Sequence, residues 1–261
     1  MRRSYLVALS LLGTAPLFPA LAHADDVSAR DWSGAYLGAS LGAAESKART
    51  STHATVGAPG DYFTTTDPQQ LGDAGRGRLS QGSGSGGLFG GYGVQQGTVY
   101  WGVEGSLNRL GFDDVHRPAT QTYLSDPTAT FTLRQSVKSD WQGTLRGRLG
   151  LAQDRWLAYV TGGVALARIE LSSNYVDTSG LGGRGNGSNA QTKAGWVLGL
   201  GGEYALSKRL SLRVEYLLAD YGSVNNTITV TNPTFGALSS TLRDKVDLKT
   251  QTLSLGLAYR F

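Results

Sequence analysis

Eight charged side chains recur at alternate positions within stretches that are otherwise rich in apolar and small residues. Four are acidic and four are basic: Glu104, Glu170, Glu203 and Glu215, with Arg146, Arg148, Arg168 and Arg213. In a low-dielectric interior an unpaired charge is costly, so equal numbers of opposite charges favour mutual ion pairing with a structural role. The alternative is a charge-lined path that selects ions, although such a filter usually carries an excess of one sign.

Nucleophilic and metal chemistry have little support in the sequence. His53 and His116 are the only histidines after residue 24, and both are predicted to lie in long polar loops and not at the rim of a strand beside a serine, which leaves only a site built from loops. Two isolated histidines in a chain without cysteine provide no metal-ligand cluster. Glycine patterns starting at Gly82 and Gly180 match a dinucleotide fingerprint in letters but lack its strand–helix context. We therefore expect no enzyme activity, no metal and no cofactor.

The first 24 residues have the organisation of a secretory signal peptide. Two arginines precede an apolar run over residues 5–12, and Ala22 and Ala24 form a small-x-small cleavage pattern. The run is too short for a membrane helix, which needs about 20 apolar residues. We predict cleavage after residue 24 and a short periplasmic segment over residues 25–31. Loss of two arginines lowers the formal charge from +4 to +2, which argues against nucleic-acid binding.

The remaining chain alternates apolar residues with small or polar ones at a period of two, which is typical of β-strands with one apolar face. Eight such stretches occur, separated alternately by short turns and longer polar spans. Two of these spans, residues 172–191 and 222–245, are predicted to be loops from their Gly, Asn, Ser and Thr content.

One stretch, residues 156–171, has aliphatic residues at both odd and even positions. Placing Arg168 and Glu170 inward, with the other charges, puts the opposite set outward. That set comprises Leu157, Tyr159, Ile169 and Leu171.

An even set of strands with short turns at one end and long loops at the other is the layout of a transmembrane β-barrel. Aromatic residues lie near most strand ends, as interfacial girdles would: Trp32, Tyr36, Tyr92, Trp101, Trp141, Trp156, Trp196, Tyr204, Tyr216 and Tyr259. We predict an all-β fold, an eight-stranded up-and-down antiparallel transmembrane barrel over residues 32–261, with short periplasmic turns and long extracellular loops. Eight strands leave an interior just wide enough for side chains to fill.

Several segments carry a family resemblance. "DWSGAYLGASLG", "GLFGGYGVQQG" with "WGVEGSLN", "TGGVALARI", "GWVLGLGGEYAL", "LRVEYLLADYG" and "LGLAYRF" together resemble the porin-family, OmpA-like β-barrel proteins of α-proteobacterial outer membranes. The resemblance implies an integral protein of a Gram-negative outer membrane, in contact with outer-membrane lipid and expected to be a monomer. It gives no sign of the peptidoglycan-binding domain of full-length OmpA-type proteins.

Three functions are compatible with such a barrel. The first is a structural and surface-interaction role, in which the barrel supports the envelope and its loops contact ligands in the environment or on a host. The second is a narrow diffusion channel for small solutes. The third is a lipid-modifying enzyme, which some eight-stranded barrels are, but the two histidines offer no site for it.

The terminal stretch 253–261 alternates strictly, with apolar side chains at odd positions and small or polar ones at even positions. Leu257 would then face lipid, and Tyr259 and Phe261 would lie at the periplasmic interface, which favours aromatic side chains. The family resemblance implies that these three residues form the signal that the barrel-assembly machinery recognises.

Overall fold

The computed structural model describes residues 30–56 and 58–261. The predicted signal peptide, its cleavage residues Ala22 and Ala24, and most of the segment 25–31 lie outside the described residues. No helix in the described part of the chain is long and apolar enough to cross a bilayer. The elements are β1 (Gly34–Ala54), α1 (Asp67–Gly75), β2 (Gly77–Gln96), β3 (Val99–His116), β4 (Gln121–Thr122), β5 (Thr130–Gln153), β6 (Trp156–Asp177), β7 (Arg184–Ala205), β8 (Leu210–Thr231), a 3₁₀ turn (Pro233–Phe235) and β9 (Ser239–Arg260).

The long strands form one closed antiparallel ring in the order β3-β2-β1-β9-β8-β7-β6-β5, with β5 pairing back onto β3. The two-residue strand β4 only extends the outer end of β5. Closure pairs every long strand on both sides, so no sheet edge is exposed to lipid. The predicted eight-stranded up-and-down barrel is therefore confirmed.

The strands of the ring are 18 to 24 residues long, whereas a tilted strand crosses a bilayer in about 9–11 residues. Each strand therefore continues well beyond the membrane on the extracellular side. The loop predictions for 172–191 and 222–245 are wrong in extent, because β6 runs to Asp177 and β7 begins at Arg184, while β8 runs to Thr231 and β9 begins at Ser239. Outside lipid the outward face needs no apolar residues, so the sequence signal of a strand weakens there.

A belt of exposed apolar side chains surrounds the part of the barrel nearest the short turns. We call it the outward belt, and it includes Leu37, Leu41, Leu88, Tyr92, Trp101, Val103, Leu107, Leu145, Leu149, Val160, Val164, Leu198, Leu200, Val214, Leu255 and Leu257. The opposite face of the same strand segments points into the barrel and carries glycine, serine, threonine and charged side chains. This is the arrangement expected where lipid surrounds the barrel.

Beyond the outward belt the outward face of the strands becomes polar and the inward face becomes apolar. On β6 the outward positions change from Val164 and Leu166 to Arg168 and Glu170, which are exposed, while Ile169 and Leu171 are fully buried inside. The predicted inward placement of Arg168 and Glu170 is therefore wrong, and so is the outward placement of Leu157, Tyr159, Ile169 and Leu171, which are at most 4% exposed. The physical reason is that the strand leaves lipid for water at this level, so its charged face turns outward and its apolar face packs the interior.

Cysteine labelling tests this exchange, because the chain contains no cysteine of its own. We expect Arg168→Cys to react with a membrane-impermeant maleimide on intact cells. The adjacent Ile169→Cys should react at least about tenfold more slowly, because its thiol faces the packed interior. After unfolding, the two rates should become equal. Faster labelling at position 169 than at 168 in the folded protein would contradict the assigned faces.

Candidate functional site

The membrane-level interior contains an array of ion pairs that we call the lumen network. Its members come from four strands and are each at most 4% exposed: Glu104, Arg146, Arg148, Glu203, Arg213 and Glu215. Arg213 Nη2 lies 2.7 Å from Glu104 Oε2 and 2.8 Å from Glu203 Oε1. Arg148 Nη2 lies 2.6 Å from Glu203 Oε1. Three acids thus face three bases, and each charge has a partner of opposite sign.

Strand register explains the first pairs of the network. Glu104 on β3 lies directly opposite Arg146 on β5, and the two form an ion pair. Glu203 on β7 lies directly opposite Arg213 on β8. Arg148 then joins the two pairs across the lumen, because its two terminal nitrogens reach Glu104 and Glu203. Neighbouring strands build the pairs and the curvature of the closed barrel brings them together.

Aromatic side chains complete the packing around these charges. The Tyr36 hydroxyl donates to Glu104 Oε2 at 2.8 Å, and the Tyr159 hydroxyl donates to Glu215 Oε2 at 2.9 Å. The guanidinium of Arg213 lies 3.9 Å from the ring centre of Phe89, at the distance of a cation–π contact. Gly38 on β1 leaves the room for that ring, since a Cβ there would collide with it.

The interior above the lumen network is also filled. A cavity of about 20 Å³ lies next to it, bordered by Ser106, Gln142 and Arg146 among others. Above this cavity, an apolar cluster closes the barrel at the level where the strands leave the membrane; it includes Phe112, Val137, Ile169, Val246 and Leu248, each at most 1% exposed. Charges therefore fill the lumen at membrane level, and apolar side chains fill it further out.

The extracellular end carries a second polar centre on the carboxylate of Asp177. It accepts hydrogen bonds from the hydroxyls of Tyr62, Tyr123 and Tyr175 and from the backbone N–H of Gly183. Burial raises the pKa of Tyr62 to about 12, so its hydroxyl remains a donor at neutral pH.

Next to this centre, the loops at the extracellular end, which we call the cap, border a cavity of about 270 Å³ that is open to the outside. Aromatic and acidic side chains border it, among them Tyr62, Phe63, Asp67, Tyr123, Asp126 and Phe235. Its shape and its lining suit a small ligand.

The periplasmic end differs from the sequence prediction in its aromatic residues. The sequence predicts Trp32 and Tyr36 at the lipid interface, but they are 0% and 3% exposed and lie inside the barrel. The guanidinium groups of Arg30 and Arg260 lie 4.5 Å and 5.7 Å from the ring centre of Trp32. Sequence reasoning missed both arginines, although Arg260 shares the inward positions of the terminal strand.

The terminal residues are placed as follows. Leu257 and Tyr259 face outward on β9, and Phe261 follows the strand with its ring edge-on to Tyr259 at a centroid distance of 5.4 Å. The Phe261 N–H donates to the Ala35 carbonyl on β1. Recognition of these residues by the assembly machinery stays a prediction.

The two histidines lie apart from the lumen. His53 is exposed on β1, and His116 Nε2 lies 3.1 Å from the Ala74 carbonyl at the outer end of β3. Within the described residues no hydrogen bond joins either ring to a serine hydroxyl. Residues 30–56 and 58–261 also contain no group of three or more potential metal ligands.

A closed barrel with an outward apolar belt and a charge-filled interior defines an integral outer-membrane protein. The chain belongs to the outer membrane protein beta-barrel domain family, whose model matches residues 7–261. It is 29% identical to the 31 kDa outer-membrane immunogenic protein of Brucella melitensis over 98% of this chain and 93% of that protein. It is 30% identical to a 22 kDa outer membrane protein of Rhizobium leguminosarum over 63% of this chain and 64% of that protein.

Solved structures with a similar course of the chain include the outer membrane protein OprG from Pseudomonas aeruginosa. The identity is 14%, the TM-score is 0.44, and the match covers 90% of this chain and 99% of that chain. The family and the relatives place this protein in the outer membrane of a Gram-negative bacterium, as the sequence predicted.

Proposed function

We propose that the protein is a closed, non-conducting barrel that contributes to the integrity of the outer membrane and presents its extracellular end to the environment or a host. The observation that carries this proposal is the filling of the lumen by paired charges. Each acid in the lumen network contacts an arginine, so the network has no excess of either sign that would attract a permeating ion.

The energetics of permeation support a closed lumen. An ion passing the network would have to separate pairs such as Arg148–Glu203, at 2.6 Å, and breaking a buried pair costs about 3–5 kcal/mol. It would then meet the apolar cluster around Ile169 and Leu248, whose aliphatic side chains cannot replace its hydration shell. Both barriers act in series, so the proposal favours the structural role over a narrow diffusion channel.

The surface role rests on the extracellular half of the barrel. Strands that continue beyond the membrane hold the cap away from the lipid, and Asp177 ties the loop residue Tyr62 to the end of β6. The name of the Brucella melitensis relative contains the word immunogenic, which suggests that that protein is exposed to a host. We propose that the cavity beside Tyr62 and Phe235 is the place where this protein contacts soluble ligands, and that no catalysis takes place there.

Planar lipid bilayers test the closed lumen. We expect the folded protein to give no steady single-channel conductance, while a general porin added to the same bilayer conducts. Folding is checked on the same sample by the change in gel mobility that heating causes in a folded barrel. Stable conductance steps that change in size with Arg148→Met would contradict the proposal and favour a narrow diffusion channel through the lumen network.

A further inference from the structure

The periplasmic mouth of the barrel holds two buried arginines that are not part of the lumen network. Arg30 precedes β1 and is 6% exposed, and Arg260 ends β9 and is 4% exposed. Nη1 of Arg30 donates to the carbonyls of Ser207 and Leu210 in the β7–β8 turn, at 3.0 Å and 3.1 Å. Nη1 of Arg260 donates to the carbonyls of Trp32 and Gly34. Backbone carbonyls thus fix the position of both side chains.

The remaining edge of each guanidinium has no acceptor. Nε and Nη2 of Arg30 and the same two atoms of Arg260 are buried without a hydrogen-bond partner among the described residues, and so is Nε1 of Trp32. The Nε and Nη2 N–H groups of an arginine point the same way and form the fork that binds a carboxylate or phosphate with two parallel hydrogen bonds. Two such forks are therefore present and unoccupied by any described side chain.

The two arginines at the mouth also have no ion-pair partner among the described residues. The described salt bridges include neither Arg30 nor Arg260. Glu203, deeper in the barrel, is already bound by Arg148, Arg213 and Ser211. Burial lowers the pKa of Arg30, and the positive charge of Arg260 lowers it further, against the opposing effect of Glu203.

Asp31, which follows Arg30 in the chain, does not fill this gap. Asp31 is exposed, and its carboxylate accepts from the Ser33 N–H at 2.8 Å. Buried cations without a partner of opposite sign are strongly unfavourable, so the mouth is arranged for a negative group, and no described side chain forms an ion pair with either arginine.

We propose that the periplasmic mouth is an oxyanion-binding site, in which the Nε–Nη2 forks of Arg30 and Arg260 hold a carboxylate or phosphate group. Trp32 supports the site from within the barrel and adds an N–H donor. The oxyanion can come from a periplasmic molecule. It can also come from the chain itself, whose sequence has carboxylates at Asp25 and Asp26, outside the described residues.

Inorganic phosphate is the probe for this site. The full protein is folded in detergent micelles, and its urea unfolding midpoint is followed by tryptophan fluorescence as phosphate is added at constant ionic strength with chloride. We expect a saturable rise of the midpoint at low millimolar phosphate. Arg30→Met and Arg260→Met should each weaken phosphate binding at least about tenfold, and Arg260→Lys should restore only part of it, because an ammonium lacks the fork.

Two matched variants make the result decisive. Lys208→Met removes an exposed charge from the neighbouring β7–β8 turn and should leave the phosphate response unchanged. If the wild type does not respond but the variant Asp25→Asn/Asp26→Asn does, the site is an oxyanion site that the chain's own carboxylates occupy. Absence of a saturable response in both proteins, or an equal response in Arg260→Met, would overturn the proposal.

Discussion

Replacement of Glu203 by glutamine should lower the free energy of unfolding by about 3–5 kcal/mol, because it leaves one buried positive charge in excess in the lumen network. Glu203 contacts both Arg148 and Arg213, so its loss changes the lumen network from balanced to net positive. Glutamine keeps the shape of the side chain and one acceptor oxygen, so the effect isolates the charge. Urea unfolding of the barrel in lipid vesicles measures it.

The double variant is the control for this interpretation. Arg213 lies directly opposite Glu203, so Glu203→Gln combined with Arg213→Met restores a network with equal numbers of acids and bases. We expect the double variant to be more stable than Glu203→Gln alone, since removing both members of a buried pair is far less costly than removing one. If the double variant loses as much stability as the two single variants together, the pair acts through packing and not through charge.

The stabilities of Glu203→Gln and Arg213→Met test whether the charges at the periplasmic mouth act on the lumen network. Arg30 and Arg260 contribute positive charge close to Glu203 that the described residues do not balance. Loss of Glu203 increases this excess, whereas loss of Arg213 reduces it. Glu203→Gln should therefore be more destabilising than Arg213→Met in buffer without oxyanions, and added phosphate should narrow the difference.

The sequence predicts the network well where inward positions follow from a single alternation. Glu203 and Arg213 alternate with lipid-facing leucines and valines, so their faces can be read directly. Which arginine pairs with which glutamate depends on the stagger between neighbouring strands and on contacts across the lumen. Alternation within one strand contains no information on either, since stagger is a property of the closed barrel.

The errors at Arg168 and Trp32 have separate causes. The inward prediction for Arg168 requires an inward face that is polar along the whole strand, but this face becomes apolar where β6 enters water. Trp32 lies at a strand end, where an aromatic ring can either reach the interface or close the barrel from inside. Composition does not distinguish these cases, and Trp32 closes the barrel between two arginines whose guanidinium groups lie beside its ring.

Replacement of Leu200 by arginine should cost about 2–4 kcal/mol of folding stability, the range for a cation on the lipid face at the bilayer midplane. Leu200 is 60% exposed in the outward belt, between Val160 on β6 and Tyr216 on β8. Lipid surrounds it at this level, so the exposed guanidinium would have to reach an interface past several apolar neighbours. Urea unfolding in vesicles, with the wild type as reference, gives the difference.

Ala190 on the same strand provides the matched control. It is exposed, lies beyond the outward belt and is directly opposite Glu170 on β6. In water an arginine at this position can pair with Glu170, so Ala190→Arg should change stability by no more than about 0.5 kcal/mol. The same substitution would then be severe at one outward position and neutral at another, because lipid covers only the first. Equal costs at the two positions would contradict the level at which β6 leaves the membrane. They would also contradict the explanation of why Arg168 and Glu170 lie outside the barrel.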